Sequence, residues 1–224
     1  MTAHDVAPLL PGVAVLRDLS RSMAVLEAIL SPDDWESRHH SFDAAWDSAE
    51  EMGSMRNGSG DEYSIVFSAG GAYIRGFDHE AAMSPYGNDG PWPGVLDSVP
   101  DVFRHCVLEP AFCDEDGMPL VTACLWREVG DSGWRVGEID YPEGESDPDG
   151  SAHLFALLTD PAPEAFQRFA EDYYEVRVDL DAVRHVYALR PLTQAVVSAL
   201  NADVALEDLA DDLATARYPY GTAR

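Results

Sequence analysis

The densest group of chemically active side chains in the sequence is the stretch Arg75-Gly-Phe-Asp78-His79-Glu80, at the end of a predicted strand. An aspartate, a histidine and a glutamate in one stretch could bind a metal ion or act as general acid and base. In an extended segment His79 points away from Asp78 and Glu80, because successive side chains alternate between two faces. The stretch is therefore a candidate site if the loop after it turns, and otherwise a polar loop.

Two further segments carry aromatic side chains beside turn-forming or acidic residues. The loop at residues 83–94 presents Tyr86 and Trp92 between glycines and prolines, and restrained aromatic side chains lose little entropy when they bind a partner. The stretch Glu171-Asp172-Tyr173-Tyr174-Glu175 places two tyrosines among three acids. It suits ion pairs and cation–π contacts with an arginine-rich partner. For the loop, the alternative is an ordered surface loop whose Trp92 packs at the edge of the core. For the 171–175 stretch, it is that one tyrosine is buried and the other half-exposed.

Other patterns that would define a chemistry are incomplete. The acidic stretch Glu143-Gly-Glu145-Ser-Asp147-Pro-Asp149-Gly150 is similar to half of a calcium loop. An EF-hand loop that starts at Glu145 would need a bidentate glutamate where the chain has Ala156. The chain has no lysine, which excludes a lysine Schiff base and a P-loop lysine. Its three cysteines lack C-x-x-C spacing. We therefore predict no metal site and no cofactor.

The charge balance restricts the class of partner. The 224 residues include 41 acidic and 14 basic side chains, all of the latter arginine, and the formal net charge is −27. Such a chain repels nucleic-acid phosphates and anionic membrane surfaces, and its arginines are scattered singly. We therefore expect neither direct nucleic-acid binding nor membrane binding. The charge favours a cationic partner such as a basic protein, unless it serves solubility or reflects a composition bias.

Apolar spacing predicts the secondary structure. Steps of three and four indicate helices at residues 15–30, 161–173, 180–189, 192–200 and 204–216. The same spacing predicts a helix after Ser41, with Phe42, Trp46, Ala49 and Met52 on one face. Residues rich in β-branched and aromatic side chains predict two hairpins, 62–68 with 72–77 and 120–128 with 134–139.

The order of these elements predicts an α+β fold. Its central antiparallel sheet of about four strands is built from two hairpins and is flanked by N- and C-terminal helices. No linker divides the chain, so a single domain over residues 1–224 is expected. The sequence has neither an apolar run of the ~20 residues that a bilayer requires nor a secretory signal. The expectation is a soluble, cytoplasmic protein.

Charge and the lack of a complete catalytic motif predict a non-enzymatic acidic binding protein that recognises a basic protein partner. In general character, being small, acidic and α+β, the chain is similar to bacterial immunity proteins that face basic toxins, although it shares no motif with them. The alternative is a hydrolase with a site centred on Asp78 and Glu80. That site would need a histidine from elsewhere in the chain, and His105 and His153 are the candidates.

Overall fold

The computed structural model describes residues 1–221, which form two compact units. Unit 1 consists of Met1–Val13 and Met55–Thr159, and unit 2 of Ala14–Ser54 and the chain from Asp160 onward. Each unit therefore combines two separate stretches of the sequence. Compact units that share the chain in this way need not fold independently. The expectation of a single domain therefore stays a prediction.

The fold is α+β, as the order of the elements predicts. Six strands follow one another in the sheet in chain order: β1 (His40–Asp47), β2 (Glu50–Arg56), β3 (Glu62–Ser68), β4 (Gly71–Phe77), β5 (Ala123–Glu128) and β6 (Arg135–Val136). The two predicted hairpins are the antiparallel pairs β3–β4 and β5–β6, and β4 and β5 are antiparallel as well.

Most of the helices lie before or after the strands in the sequence, and α3 lies between β4 and β5. Within the described residues the α-helices are α1 (Ala3–Val6), α2 (Val13–Leu30), α3 (Arg104–Val107), α4 (Ser151–Leu154), α5 (Ala156–Thr159), α6 (Pro163–Tyr174), α7 (Leu180–Tyr187), α8 (Gln194–Leu200) and α9 (Ala210–Thr215). One-turn 3₁₀ helices occur at Trp35–Ser37, Asp101–Phe103, Pro110–Phe112 and Leu206–Leu209. None of the helices in residues 1–221 has the length and apolar character needed to cross a bilayer.

The core of unit 1 is built on β4, all of whose residues are buried. Its register with β3 pairs Ile65 with Ile74 and Phe67 with Ala72, which confirms the predicted antiparallel neighbours. Gly76 packs against the Phe155 ring, and a Cβ there would lie 2.7 Å from it. β4 pairs with β3 on one side and with β5 on the other. These pairings hold β4 in place, so the residues that follow Phe77 lie in a fixed position at the end of these strands.

The core of unit 2 is helical. The predicted stripe of α2 is buried at Leu16, Leu19, Met23 and Leu26. Asp179 accepts a hydrogen bond from the Ala182 backbone N–H at 2.8 Å, and this contact caps the first turn of α7 as the sequence predicts. Burial of these apolar faces, and not helix propensity alone, stabilises such short helices.

The predicted helix after Ser41 is wrong, because this segment forms β1 and β2. In β1 the buried side chains are His40, Phe42 and Ala44, a period of two that fits a strand. The spacing of Phe42, Trp46, Ala49 and Met52 also suits a helix, so the pattern alone is ambiguous. Backbone pairing within a sheet decides such ambiguous segments, since strand preference depends on tertiary context.

Candidate functional site

Two acids and a histidine converge at one edge of unit 1. Asp61 directly precedes β3, and Asp78 and His79 directly follow β4. The antiparallel register pairs Glu62 with Phe77, so the residues just outside this pair lie side by side. One potential ligand atom from each of Asp61, Asp78 and His79 lies within 4.8 Å of the other two.

The chain turns immediately after β4, as the candidate site requires. The Asp78 carboxylate accepts hydrogen bonds from the backbone N–H groups of Glu80 at 2.9 Å and Ala81 at 3.0 Å. A carboxylate that caps its own turn in this way ends the strand alternation. His79 therefore faces the same region as Asp78, whereas the Glu80 side chain is 85% exposed.

His79 and Asp61 form a close pair. The His79 Nδ1 atom lies 2.7 Å from Asp61 Oδ1, and the His79 backbone N–H donates to the same oxygen at 3.1 Å. This hydrogen bond raises the pKa of His79 above its usual value. Burial acts to raise the pKa of Asp61, but hydrogen bonds from His79 and Asn57 outweigh it and leave that pKa lowered. The pair therefore favours its charged forms.

The loop before α4 brings two further ligating side chains. Asp147 accepts hydrogen bonds from the Ala152 backbone N–H at 3.0 and 3.2 Å, and His153 lies one residue further on in α4. The His153 Nδ1 atom is 3.6 Å from Asp147 Oδ2 and 3.8 Å from Asp78 Oδ2, and its Nε2 atom is 3.7 Å from Asp61 Oδ2. We call Asp61, Asp78, His79, Asp147 and His153 the histidine–aspartate cluster.

A glycine permits this approach. Gly150 has φ +73°, and a Cβ at this position would lie 2.4 Å from Asp78 Cβ. Any larger residue would push the 147–153 loop away from the end of β4 and would also be strained at this φ. In the acidic stretch that is similar to half of a calcium loop, Asp147 and Asp149 accept different backbone hydrogen bonds. Asp149 is buried and accepts from the backbone N–H groups of Ala3 at 2.8 Å and Ser151 at 3.0 Å.

The remaining candidates of unit 1 lie apart from this cluster. Arg75 is buried; it donates to the Leu120 carbonyl at 2.8 Å, pairs with Glu62 and lies over the Phe112 ring. Tyr86 is 61% exposed with its ring edge-on to Phe77, and the Trp92 Nε1–H donates to the Asp140 carbonyl at 2.9 Å. Of the two histidines proposed to complete a hydrolase site, His153 approaches Asp78, whereas the His105 ring lies 3.4 Å from Cys106 Sγ.

In unit 2 the two tyrosines of the 171–175 stretch have different roles. The Tyr174 hydroxyl donates to Glu27 Oε2 at 2.9 Å and is half-buried. Tyr173 is 40% exposed, and its hydroxyl donates to the Ser37 carbonyl at 2.9 Å. Asp172 and Glu175 are exposed, and Glu171 accepts from the Val178 backbone N–H at 3.1 Å. The stretch thus has an anchored side and an exposed side.

Glu27 links the chain before β1 to the end of α6 through its buried side chain. Its side chain is fully buried and accepts hydrogen bonds from the backbone N–H groups of His39 at 2.6 Å and His40 at 3.1 Å, besides that from Tyr174. It also bonds to the His40 ring. Several donors on one carboxylate compensate its burial, so Glu27 fixes the chain that leads from Trp35–Ser37 into β1.

Trp35 is the surface residue that the sequence patterns did not single out. Its side chain is 72% exposed, and Asp33, Asp34 and Glu36 around it are exposed as well. The stretch Ser31-Pro32-Asp33-Asp34 predicts a helix start, and the helix that follows is a single 3₁₀ turn capped by Asp34. An aromatic residue within an acidic run is the signal that could have found it.

The Tyr173–Ser37 hydrogen bond joins these residues to the end of α6. The His39 and Tyr173 rings lie 4.1 Å apart, and Phe169 stacks on Tyr173 at 5.9 Å between centroids. Burial lowers the pKa of His39 although Glu27 acts to raise it, so the environment of the ring favours its neutral form. We call the exposed set the acidic–aromatic surface; it consists of Asp33, Asp34, Trp35, Glu36, Asp172, Tyr173 and Glu175.

Comparison with known proteins found no family model, no curated protein and no solved structure that matches this chain.

Proposed function

We propose that this protein is a non-enzymatic binding protein whose acidic–aromatic surface recognises a basic protein partner. The observation that carries the proposal is Trp35, 72% exposed among the exposed acids Asp33, Asp34 and Glu36. Tryptophan is enriched among the residues that dominate binding energy at protein interfaces. An arginine of the partner can stack on the indole face while the neighbouring carboxylates accept its N–H groups.

The charges around Trp35 support a cationic partner. Arg38 is the basic side chain of this segment, and it is already bonded to Asp212 at 2.7 Å and to the Ser31 carbonyl at 2.7 Å. Within the described residues, Arg38 therefore pairs with Asp212 and not with Asp33, Asp34 or Glu36. With a net charge of −27 on the whole chain, the encounter with a basic protein is accelerated by long-range attraction.

The concrete form of this proposal is a soluble, cytoplasmic bacterial immunity protein that binds a basic toxin. Tyr173 extends the surface of Trp35 through the Ser37 contact, so a partner meets two aromatic side chains on a backbone anchored by Glu27. The Tyr173 ring is held by the Ser37 hydrogen bond and by stacking on Phe169, and an ordered side chain loses less entropy on binding. This arrangement supports tight binding to a complementary basic surface.

The test uses the full chain as bait in extracts of the source cells, with Trp35→Ala as a parallel bait. We expect the wild-type bait to capture a basic protein that the Trp35→Ala bait does not capture. The affinity of that protein for the Trp35→Ala variant should be lower by at least about 30-fold, the equivalent of ~2 kcal/mol. Trp35 is exposed, so this change leaves the core intact. Recovery of no protein, of acidic proteins, or of proteins that bind both baits equally would refute the proposal.

A second variant examines the charges. Asp33→Asn, Asp34→Asn and Glu36→Gln together remove three negative charges, and the asparagine introduced in place of Asp34 retains an oxygen that can cap the 3₁₀ turn. Association with the recovered partner should slow about tenfold at low salt and match the wild type at high salt. The matched control, Glu115→Gln with Asp116→Asn and Glu143→Gln, removes three exposed charges from unit 1. Equal slowing by both variants would show that net charge alone, and not this surface, directs binding.

A hydrolase with its site at Asp78 and Glu80 is the second candidate function. The approach of His153 to Asp78 at 3.8 Å favours it, whereas the exposed position of Glu80 places that carboxylate outside the cluster. A hydrolytic activity found by substrate screening and abolished by Asp78→Asn, together with failure of the binding test, would replace the binding-protein proposal.

A further inference from the structure

The distances around His153 differ from those of ordinary hydrogen bonds. The Nδ1 atom lies 3.6 Å from Asp147 Oδ2 and 3.8 Å from Asp78 Oδ2, whereas the Nε2 atom lies 3.7 Å from Asp61 Oδ2. An N···O separation of about 3.6 Å is too long for a hydrogen bond. Donor atoms that share a metal with bonds of about 2.1 Å lie roughly 3 Å apart when adjacent and roughly 4 Å apart when opposite. The two separations measured from Nδ1, to Asp147 and to Asp78, fall within this interval.

Within the described residues, the carboxylates of the cluster pair with histidines and with no arginine. Three carboxylates meet here, and the Asp61 and Asp78 side chains are only 12% and 13% exposed. Within residues 1–221 the cationic partners of these carboxylates are His79 and His153, while the nearby arginines Arg56 and Arg75 pair with Glu62. Converging, largely buried carboxylates repel one another unless a positive charge lies between them.

We propose that the histidine–aspartate cluster binds a divalent first-row transition-metal ion. Two imidazoles with carboxylate oxygens form a mixed nitrogen and oxygen donor set that suits Zn²⁺ and its neighbours better than Ca²⁺, which prefers oxygen ligands alone. His153 supplies one nitrogen through Nδ1, beside the Asp78 and Asp147 oxygens. Asp61 and His79 each place a ligand atom within 4.8 Å of one on Asp78, and His79 supplies the second nitrogen when its hydrogen bond to Asp61 opens. The sequence prediction of no metal site considered each short stretch by itself, whereas these ligands come from three stretches.

Apart from the His79–Asp61 hydrogen bond, which must open for His79 to bind the metal, the contacts that hold the ligands can remain in place. Asp78 keeps its backbone donors from Glu80 and Ala81 on Oδ1, and its Oδ2 atom faces His153. Asp147 is fixed by the Ala152 N–H, and Asp61 by the Asn57 amide at 2.7 Å. Outer contacts of this kind orient ligands and tune metal affinity. The site does not depend on the proposed partner binding, since all of its residues belong to unit 1.

The test is calorimetric titration of ZnCl₂ into the full chain after chelator treatment, with CaCl₂ as a second probe. We expect one Zn²⁺ site, at most weak Ca²⁺ binding, and Zn²⁺ affinity that rises with pH as the histidines lose protons. Binding of Co²⁺ should give the visible absorption of a site with nitrogen and oxygen ligands. His153→Ala should weaken Zn²⁺ at least tenfold, or about 1.4 kcal/mol, while His4→Ala, an exposed histidine of the same unit, should leave it unchanged.

Asp78→Asn and Glu80→Gln form a second matched pair. The asparagine retains an oxygen for the turn, so the fold is preserved while the ligand charge is lost; Glu80→Gln removes an exposed charge two residues away. We expect weaker Zn²⁺ binding in the first variant only. If Asp78→Asn does not fold, His153→Ala decides, because this side chain is half-exposed. The proposal would be overturned if the wild type did not bind Zn²⁺ or if His153→Ala bound it unchanged. Binding of Ca²⁺ with equal affinity would overturn it as well.

Discussion

The acidic–aromatic surface of unit 2 and the histidine–aspartate cluster of unit 1 use the same residue types in opposite ways. Around Trp35 the carboxylates of Asp33, Asp34 and Glu36 are spread out and exposed. In the cluster, Asp61 and Asp78 are largely buried and turned toward the same point. Exposed charges act on a partner through water over about a Debye length, roughly 8–10 Å. Buried charges that converge act strongly at contact distance, and they favour a small cation.

This contrast shows that acid content alone does not define function in a chain of net charge −27. Glu27 illustrates a third use of an acid, since it is fully buried and is devoted to backbone and tyrosine hydrogen bonds. Its role is to support the segment on which the exposed acids stand. Burial and the direction of the donors separate these three uses, so each use predicts a different response to mutation, salt and pH.

The largest effect is expected for the buried acid. Glu27→Ala leaves the His39 and His40 N–H groups and the Tyr174 hydroxyl without their acceptor, and should lower the free energy of unfolding by about 3–5 kcal/mol. Urea denaturation followed by far-UV circular dichroism measures the loss. Glu36→Ala, an exposed acid beside Trp35, should change stability by less than about 0.5 kcal/mol. Similar losses in both variants would contradict the division into supporting and surface acids.

Salt should have a smaller effect. The repulsion among the exposed carboxylates opposes folding, and salt screens it, so the thermal midpoint at pH 7 should be several degrees higher in about 0.5 M NaCl than in about 0.01 M. Differential scanning calorimetry measures the shift. The Asp33→Asn, Asp34→Asn, Glu36→Gln variant should show a smaller rise. A midpoint that falls on addition of salt would mean that favourable ion pairs outweigh the repulsion between exposed acids.

The smallest effect distinguishes one histidine in each region. The hydrogen bond to Asp61 raises the pKa of His79, and burial lowers that of His39. The His79 contribution to stability is therefore present below the unfolded pKa of about 6.5 and is lost as pH rises through the folded pKa. The His39 contribution is present above about 6.5 and is lost as pH falls.

Proton NMR of the imidazole C–H groups in chelator-treated protein measures both titrations. The midpoint of His79 should lie above about 6.5 and that of His39 below it. Asp61→Asn should bring the His79 midpoint down and leave His39 unchanged, because the two histidines belong to different units. Equal midpoints in the wild type would remove the electrostatic contrast between the two regions.

Much of the fold follows from local patterns. The spacing of apolar residues predicts α2, α6, α7 and α8, and short runs of β-branched and aromatic residues joined by a glycine turn predict the β3–β4 hairpin. These patterns succeed because each is repeated over several turns or strand positions. The helix predicted after Ser41 is wrong because the apolar spacing of this segment satisfies two periods at once, and pairing with other strands decides in favour of β1 and β2.

The candidate sites were only partly accessible from the sequence. The sequence predicts Asp78 and His79 as site residues from their chemistry and His153 as a partner histidine. Their convergence depends on the register that pairs Glu62 with Phe77 and on the space left at Gly150. Trp35 lies exposed at the surface, in a 3₁₀ helix of a single turn, and no spacing pattern in the sequence indicates this exposure. The sequence by itself determined charge, periodicity and the elements they specify, since these depend on neighbours in the chain. Tertiary structure decided which acids are buried, exposed or convergent, because side-chain environment depends on residues distant in sequence.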